Sequence, residues 1–264
     1  MAENDKRPWA LILGASSGFG EAAAVELAGA GYDIFGVHLD RRATLPHVEE
    51  VTARIRAAGR EAVFFNVNAA DAEKRKEVAA QIRARFEQQP GTVRVLLHSL
   101  AFGTLKKFAN SDDLVSQQQM EMTSDVMAHS LVYWVQDLLA CRLMEAGGRI
   151  FAMTSAGGTR VLPSYGPVSA AKAALESHIR QLAMELAPLG ITANAIRAGV
   201  TDTPALRKIP GNHKLIEFAE LRNPHGRLTT PRDVAAALTA LARPETYWIT
   251  GNVIGVDGGE DIVG

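Results

Sequence analysis

A glycine-rich turn between a strand and a helix is the feature that most restricts the fold of this chain. In WALILGASSGFGEAAAVELAGAGYDIFGVHL, residues 9–39, an apolar run precedes Gly14, Gly18 and Gly20, and an alanine-rich stretch follows them. The run WALIL is typical of a strand covered on both faces. Gly31 ends the predicted helix before a second apolar run. The order strand, glycine turn, helix, strand predicts a parallel βαβ unit.

The same alternation continues along the chain. We predict further strands in the apolar runs at 61–67, 93–99, 147–155, 191–199 and 251–259. Helical patterns occupy 46–58, 71–88, 114–145, 167–187 and 231–242, where 114–145 is one long helix or a broken pair. Seven strands separated mostly by helices predict a single α/β domain over residues 1–264, a doubly wound, Rossmann-type parallel sheet with helices on both faces.

Composition excludes several classes of protein. The 264 residues carry a formal net charge of −1, which gives no bias towards nucleic acid or a membrane surface. The chain has one cysteine, Cys141, in an apolar stretch where we expect a packed thiol. No apolar run approaches the length of a membrane span, and the seven histidines lack metal-site spacing. We therefore expect a cytoplasmic protein without a metal, a nucleic-acid partner or a membrane anchor.

The carboxyl ends of the strands are where a doubly wound sheet binds its ligand. Gly14 permits a tight turn, and Gly18 lets the backbone approach a pyrophosphate at the helix N-terminus. Between a first strand and a helix this pattern is strong evidence for a dinucleotide. The predicted cofactor-binding residues of this turn are Gly14, Ser16, Ser17, Gly18, Phe19 and Gly20.

The residues after the second strand give opposing signals about the nucleotide. Asp40 can bind the ribose hydroxyls of NAD, whereas Arg41 and Arg42 suit the 2′-phosphate of NADP. Two arginines outweigh one carboxylate that turns away, so NADPH is favoured slightly over NADH. A solvated turn that touches neither cofactor is the alternative.

The segment SYGPVSAAK, residues 164–172, places Tyr165 seven residues before Lys172, while Val168 stands four before the lysine. Seven residues are nearly two turns of helix, so Tyr165 and Lys172 share a face. Pro167 suits the first helical turn, which puts Tyr165 at the mouth of the helix. The pair is therefore a candidate catalytic unit.

Nearly the whole chain resembles the short-chain dehydrogenase/reductase family. The glycine pattern, Asn66 and Val67, the region from Ser155 to Lys172, ITANAIRAG and the terminal VDGG follow the family's order. Most members use Tyr-x3-Lys, but Tyr165-x6-Lys172 and the turn HSLAFG resemble the bacterial enoyl-acyl carrier protein reductases, of the type that keeps the G-x3-G-x-G loop. GVTDTPALRKIPG resembles the start of their substrate-binding loop, here about 200–226.

The resemblance implies NAD(P)H-dependent reduction of the C=C bond of a 2-enoyl thioester, carried on acyl carrier protein or coenzyme A, in fatty acid synthesis. Tyr165 would stabilise the enolate oxygen, Lys172 would hold the nicotinamide ribose, and Ser155 could assist. Moving a tyrosine three residues along a helix displaces its backbone by about 4.5 Å. This displacement has the same order of magnitude as the distance in the substrate between Cβ, which accepts hydride, and the thioester oxygen.

The resemblance also implies lesser roles for other residues. His98 and Ser99 would present backbone groups near the nicotinamide ribose, and Met127 stands for a helical asparagine of the usual proton relay. Tyr133 and Trp134 would lie in the core or at a subunit interface of a homotetramer formed through 114–145 and 167–187. The further cofactor-binding residues are Asn66, Val67, Ser99, Lys172, Gly199, Thr201 and Thr203.

Two other functions are consistent with these residues. A carbonyl or alcohol oxidoreductase of the same fold, such as a 3-oxoacyl or ketone reductase, could have relocated its tyrosine. A nucleotide-bound sensor or partner subunit without catalysis would explain Val168, where the usual tyrosine is lost. The intact spacing of Tyr165 and Lys172 argues against that sensor.

Overall fold

Seven parallel strands form one sheet in the computed structural model, which describes residues 6–263. The sheet has the strand order β3-β2-β1-β4-β5-β6-β7, which confirms the predicted doubly wound α/β fold. The strands are β1 Arg7–Leu13, β2 Asp33–His38, β3 Ala62–Asn66, β4 Gly91–His98, β5 Arg149–Ser155, β6 Thr192–Ala198 and β7 Val253–Val256.

Helices connect the strands. They are α1 Gly18–Gly29, α2 Leu45–Ala57, α3 Ala72–Gln88, α4 Gln117–Ser124, α5 Ser130–Ala140, α6 Gly166–Leu186, α7 Asn212–Arg222 and α8 Pro231–Leu241. The segment predicted as one long helix or a broken pair consists of α4 and α5 joined by a π-helical turn, Asp125–His129. This segment ends at Ala140, before the predicted end at 145, because Cys141 and Arg142 form a turn.

Each face of the sheet buries its own apolar core, since successive strand side chains point to opposite faces. Trp9 and Leu11 of β1 pack on one side, where the Trp9 ring stacks on Phe35 with centroids 4.0 Å apart. Ala10 and Ile12 pack on the other side against α1 and α8. Both faces are therefore covered, as the continuous apolar runs predicted.

Three residues in and just after α5, for which the sequence predicts packing in the core or at an interface, differ in burial. Trp134 is fully buried, and its indole Nε1 donates to the Ala69 carbonyl at 2.8 Å, so it is a core residue. Tyr133 is half-buried and lies beneath the Arg75 guanidinium, 5.1 Å from the ring centroid. Cys141 is half-buried at the edge of the same core rather than enclosed by it.

The topological switch point lies between β1 and β4, where the strand order reverses. Leu13 at the end of β1 is in register with His98 at the end of β4. The glycine turn and the loop after β4 therefore share one edge, where β5 and β6 also end. Within residues 6–263, no helix combines the length and apolarity needed to cross a bilayer.

Candidate active site

Two glycines of the turn after β1, Gly14 and Gly20, leave no room for a side chain. A Cβ on Gly14, whose φ is +89°, would lie 2.5 Å from the carbonyl oxygen of Ser99, and a Cβ on Gly20 would lie 2.0 Å from that of Gly14. Gly18, with φ +58°, has the Thr203 methyl 3.6 Å from the equivalent position. The bare backbone at the start of α1 suits the close approach of a pyrophosphate.

The remaining residues of the turn lie at this edge. Phe19 lines the cavity described below. Ser16 is half-buried, and Ser17 is exposed at the N-cap of α1, where its side chain makes no capping hydrogen bond. The hydroxyl of Ser17 is thus available to a ligand at the helix N-terminus.

Asp40 is fixed at the end of β2 by its neighbours. The Asn66 amide accepts from the Asp40 backbone N–H at 2.9 Å and donates to its carbonyl at 3.0 Å. His38 Nδ1 lies 2.9 Å from a carboxylate oxygen of Asp40. Burial acts to raise the pKa of Asp40, but hydrogen bonds from Ser16, Thr44 and His38 outweigh it and the pKa is lowered. An ionised carboxylate therefore lies beside the glycine turn.

His38 was missed from the sequence, although it is the last residue of β2 and stands two residues before Asp40, which lies just beyond the strand. Arg41 and Arg42 are exposed beyond Asp40. Val67 follows β3, and its N–H donates to the His38 carbonyl at 2.8 Å. The site therefore presents one anchored carboxylate and two exposed guanidinium groups.

Tyr165 and Lys172 lie on one face of α6, with Tyr165 at the N-cap and Pro167 in the first turn. Both side chains are buried, at 8% and 6% exposure. The Tyr165 hydroxyl is 3.2 Å from Ser155 Oγ, and burial raises the pKa of the phenol while that hydrogen bond opposes the rise. The end of β5 and the start of α6 thus meet at this hydroxyl.

The Lys172 ammonium donates to the Met153 carbonyl of β5 at 2.7 Å. Burial lowers the pKa of Lys172 to about 8, and the nearby carboxylate of Glu176 only partly offsets this. A buried cation held by a backbone carbonyl keeps its remaining N–H groups for a ligand.

His98 is a buried neutral imidazole. Its Nε2 is 2.9 Å from the Ser130 hydroxyl, which itself donates to the Val126 carbonyl at 2.8 Å, so Nε2 carries the proton. Burial, followed by the charge of Lys172, lowers the pKa of His98 to about 3. The imidazole joins β4 to Ser130 at the start of α5, and an imidazole this weakly basic does not transfer protons near neutral pH.

A cavity of about 430 Å³ opens beside the Tyr165–Ser155 pair. Met127 and Val168 form part of its wall and pack around Gly103, where a Cβ would lie 2.6 Å from Met127 Sδ and 3.0 Å from a Val168 methyl. The helix position four before Lys172 is therefore filled by an apolar side chain. Other apolar lining residues include Leu105, Val161, Leu162, Ile209, Leu215 and Phe218.

The segment after β6 also lines the cavity. Gly199, Thr201 and Thr203 all line the cavity, and the Thr201 hydroxyl donates to the Gly199 carbonyl at 3.0 Å. Thr203 faces Gly18 and accepts from the Leu206 N–H at 3.2 Å. The loop predicted over 200–226 contains the full helix α7, which covers one side of the cavity.

Five charged residues line the cavity. Lys208 and Arg222 belong to the predicted substrate-binding loop, whereas Arg160, Glu260 and Asp261 were not foreseen. No sequence signal marked these three, because their meeting depends on how the chain turns after β7. Among residues 6–263, no group of three or more metal-ligating side chains converges.

Residues 14–260 match the family described as enoyl-(acyl carrier protein) reductase. The chain belongs to this family. The resemblance to the short-chain dehydrogenases/reductases, and to their enoyl reductase branch, is thereby confirmed. As a member of the family, the protein is an NAD(P)H-dependent oxidoreductase.

Two relatives differ in the carrier that their names give. The chain is 34% identical over 180 residues to an NADH-dependent enoyl-acyl-carrier-protein reductase of Aquifex aeolicus, covering 68% of this chain and 66% of the relative. It is 31% identical over 262 residues to a 1-cyclohexenylcarbonyl-CoA reductase of Streptomyces collinus, covering 98% of this chain and 89% of the relative.

Solved structures share the fold over the full length. An enoyl-acyl carrier protein reductase of Bacillus cereus, in complex with NADP+ and an indole naphthyridinone, superposes with a TM-score of 0.86 at 26% identity, and each chain is covered completely. The Aquifex aeolicus enzyme superposes with a TM-score of 0.83 at 28% identity, covering 98% of this chain and 97% of that one.

Proposed function

We propose that the protein reduces the C=C bond of a 2-enoyl thioester at the expense of NAD(P)H. The observation that carries the proposal is the position of Tyr165, whose hydroxyl opens on an apolar-walled cavity two helical turns from Lys172, while Val168 fills the usual tyrosine position. A hydrogen-bond donor set back along the helix suits a carbonyl oxygen that is remote from the reacting carbon.

Tyr165 would donate its hydroxyl proton in a hydrogen bond to the thioester oxygen as negative charge develops there. A donor already fixed in a site without water stabilises an enolate strongly, because it costs little reorganisation free energy when the charge develops. A reduced nicotinamide, when bound, supplies the hydride that Cβ accepts. Ser155, at 3.2 Å, would orient the Tyr165 hydroxyl towards that oxygen.

Lys172 would hold the nicotinamide ribose hydroxyls through the N–H groups that Met153 does not use. Its positive charge, on the same helix face as Tyr165, would also favour the negative charge that develops on the thioester oxygen. His98, neutral and buried behind it, would support β4 without exchanging protons. The reaction therefore depends on Tyr165 and Lys172, with Ser155 as a positioning residue.

The cofactor contacts are proposed for the residues that the fold brings to this edge. The start of α1 would bind the pyrophosphate, with Ser17 and Thr203 on either side of Gly18. Arg41 and Arg42 would bind the 2′-phosphate of NADPH, since both guanidinium groups are exposed beside the site. Asp40, although ionised, is engaged by His38, which lessens its hold on the ribose of NADH.

The relatives suggest the acyl carrier of the substrate and the pathway in which the protein acts. Both acyl carrier protein and coenzyme A thioesters are consistent with the relatives' names. We propose a role in fatty acid synthesis and a cytoplasmic homotetramer assembled through α4, α5 and α6. Sedimentation of the purified protein would test the assembly, and a monomer would contradict it.

A ketone or 3-oxoacyl reductase is the second candidate. The observation in its favour is the Ser155–Tyr165 contact, because a serine beside the tyrosine can polarise a carbonyl at the reacting carbon itself. The position of Tyr165, rather than its partner, distinguishes the two reactions.

The deciding experiment offers crotonyl-coenzyme A and acetoacetyl-coenzyme A in parallel, with NADPH and with NADH, and follows the absorbance of the reduced cofactor. Oxidation with crotonyl-coenzyme A alone supports the proposal. Oxidation with acetoacetyl-coenzyme A alone makes the protein a ketone reductase. If neither reacts, a longer enoyl chain on acyl carrier protein is tested, and bound cofactor without any turnover supports a non-catalytic sensor.

A further inference from the structure

The C-terminal segment, residues 257–263, turns back over the carboxyl edge of the sheet after β7. Gly258 and Gly259 have φ values of +63° and +85°, which residues other than glycine rarely adopt. The Asp257 carboxylate accepts from the N–H of Gly259 at 3.0 Å and of Asp261 at 3.2 Å. These contacts set the turn that brings Glu260 and Asp261 to the cavity.

Glu260 binds the end of β6. Its Oε2 accepts from the Val200 N–H at 3.0 Å, and a Cβ on Gly199 would lie 2.9 Å from the same oxygen. A side chain at position 199 would therefore displace the Glu260 carboxylate from this contact. Burial raises the pKa of Glu260, and the hydrogen bond from Val200 opposes that rise.

Asp261 joins two guanidinium groups. Its carboxylate lies 2.8 Å from Arg160 and 3.2 Å from Arg197, and its backbone carbonyl accepts from Arg160 at 2.7 Å. The Asp261 side chain is 18% exposed, so this network is better shielded than an isolated surface ion pair. Arg160 belongs to the loop after β5 that carries Val161 and Leu162 along the cavity.

Helix α7 is attached to the same segment. Arg222, at the end of α7, donates to the Val263 carbonyl. The same helix brings Leu215 and Phe218 to the cavity. Within residues 6–263, the segment therefore contacts three cavity-forming elements at once: the loop after β5, the end of β6 and α7.

We propose that Glu260 and Asp261 are positioning residues of the site and that residues 260–263 act as a C-terminal clasp. The clasp holds the loop at 157–164 and α7 together so that they enclose the acyl chain of the substrate. The part concerning the acyl chain rests on the proposed function. The clasp sets how firmly a long acyl chain is bound and leaves the reacting atoms to Tyr165.

The first test measures hydrogen exchange by mass spectrometry on the full-length protein, which needs no activity. In Asp261→Asn, amides at 157–164 and 212–222 should exchange about fivefold faster or more, a loss of about 1 kcal/mol of local protection. Amides of β2 and β3, on the far half of the sheet, should be unchanged. Unchanged exchange in both segments would overturn the clasp.

The second test measures kcat and KM with crotonyl- and 2-dodecenoyl-coenzyme A. Asp261→Asn should raise KM for the longer thioester about fivefold or more and change kcat less than about twofold, with a smaller effect on the shorter thioester. Asp261→Glu should recover part of the loss. Faster exchange with an unchanged KM would overturn the role in substrate binding.

Arg160→Gln breaks the main ion pair from its other end and serves if Asp261→Asn folds poorly. Arg160→Gln should reproduce both the faster hydrogen exchange and the higher KM. Asp261→Asn should have a smaller effect in the Arg160→Gln background than in the wild type. Glu145→Gln removes an ion pair with Lys6 at the opposite edge of the sheet and is the matched control. If the wild type reduces no enoyl thioester, the proposed function fails, and hydrogen exchange alone then decides the clasp.

Discussion

The phenolic oxygen of Tyr165 and Oγ of Ser155 are 3.2 Å apart, so a residue at the start of α6 and a residue at the end of β5 share a hydrogen bond at the cavity. The sequence left the role of Ser155 open, because a serine after a strand is an ordinary loop residue. The contact gives Ser155 a defined partner. We therefore expect the loss of Tyr165 to lower kcat more than the loss of Ser155, which acts through it.

Tyr165→Phe should lower kcat with a 2-enoyl thioester about 100-fold or more, because it removes the one hydroxyl placed to stabilise the enolate. Cofactor affinity should remain within about twofold, since the ring is retained. Steady-state kinetics and fluorescence titration with NADPH measure the two quantities. Tyr133→Phe is the matched control. Tyr133 belongs to α5, lies under the Arg75 guanidinium of α3 and does not line the cavity. Full turnover in Tyr165→Phe would refute the assigned role.

Ser155→Ala should lower kcat about threefold to tenfold, less than Tyr165→Phe, because a neutral hydrogen bond contributes about 1 kcal/mol. The decisive measurement is the double variant. If Ser155 acts only through Tyr165, Ser155→Ala should have almost no effect in the Tyr165→Phe background. A full effect there would mean that Ser155 touches the substrate itself and would favour the ketone reductase.

The sheet was predictable because its signals are local. WALIL and the other apolar runs, separated by helical patterns, fix the strands and their parallel order. The pair Tyr165 and Lys172 was predictable for the same reason, since both belong to one helix and their spacing determines the face.

Other parts of the site depend on contacts between distant segments. The Asp261 network joins residues about 100 positions apart, such as Arg160, and no periodicity predicts it. His38 was missed because a histidine inside a strand has no sequence signal of its own until Asp40 is seen beside it. The π-helical turn at Asp125–His129 was missed because a helical pattern does not distinguish α from π.

The cofactor preference should respond to the charges after β2. Replacing both Arg41 and Arg42 by alanine should raise the Kd of NADPH about tenfold or more and leave that of NADH nearly unchanged, because only NADPH carries the 2′-phosphate. Asp40→Asn should instead favour NADPH. Titration calorimetry with both cofactors measures this. Arg83→Ala, exposed on α3, is the matched control. Equal losses for NADH and NADPH would refute 2′-phosphate binding by the arginines.

The stability of the cofactor-free protein should reveal the buried Lys172. Its pKa is about 8 in the folded protein, against 10.5 for an ordinary lysine, because burial disfavours the charge. Between these pH values the unfolded chain binds a proton that the folded chain has released. The free energy of unfolding contributed by Lys172 therefore rises with pH through this window.

We accordingly compare wild type with Lys172→Met by urea unfolding from pH 7 to pH 10. The free energy of unfolding of the wild type, minus that of the variant, should increase by about 2 kcal/mol over this range, because the unfavourable buried charge is present at the lower pH and absent at the higher. Lys76→Met, on α3, is the matched control for the loss of a lysine. A pH-independent difference for Lys172→Met would show that the ammonium is not destabilised in the fold.

The same titration predicts weaker cofactor binding as the pH rises through about 8, since the charge that we assign to the ribose contact is then lost.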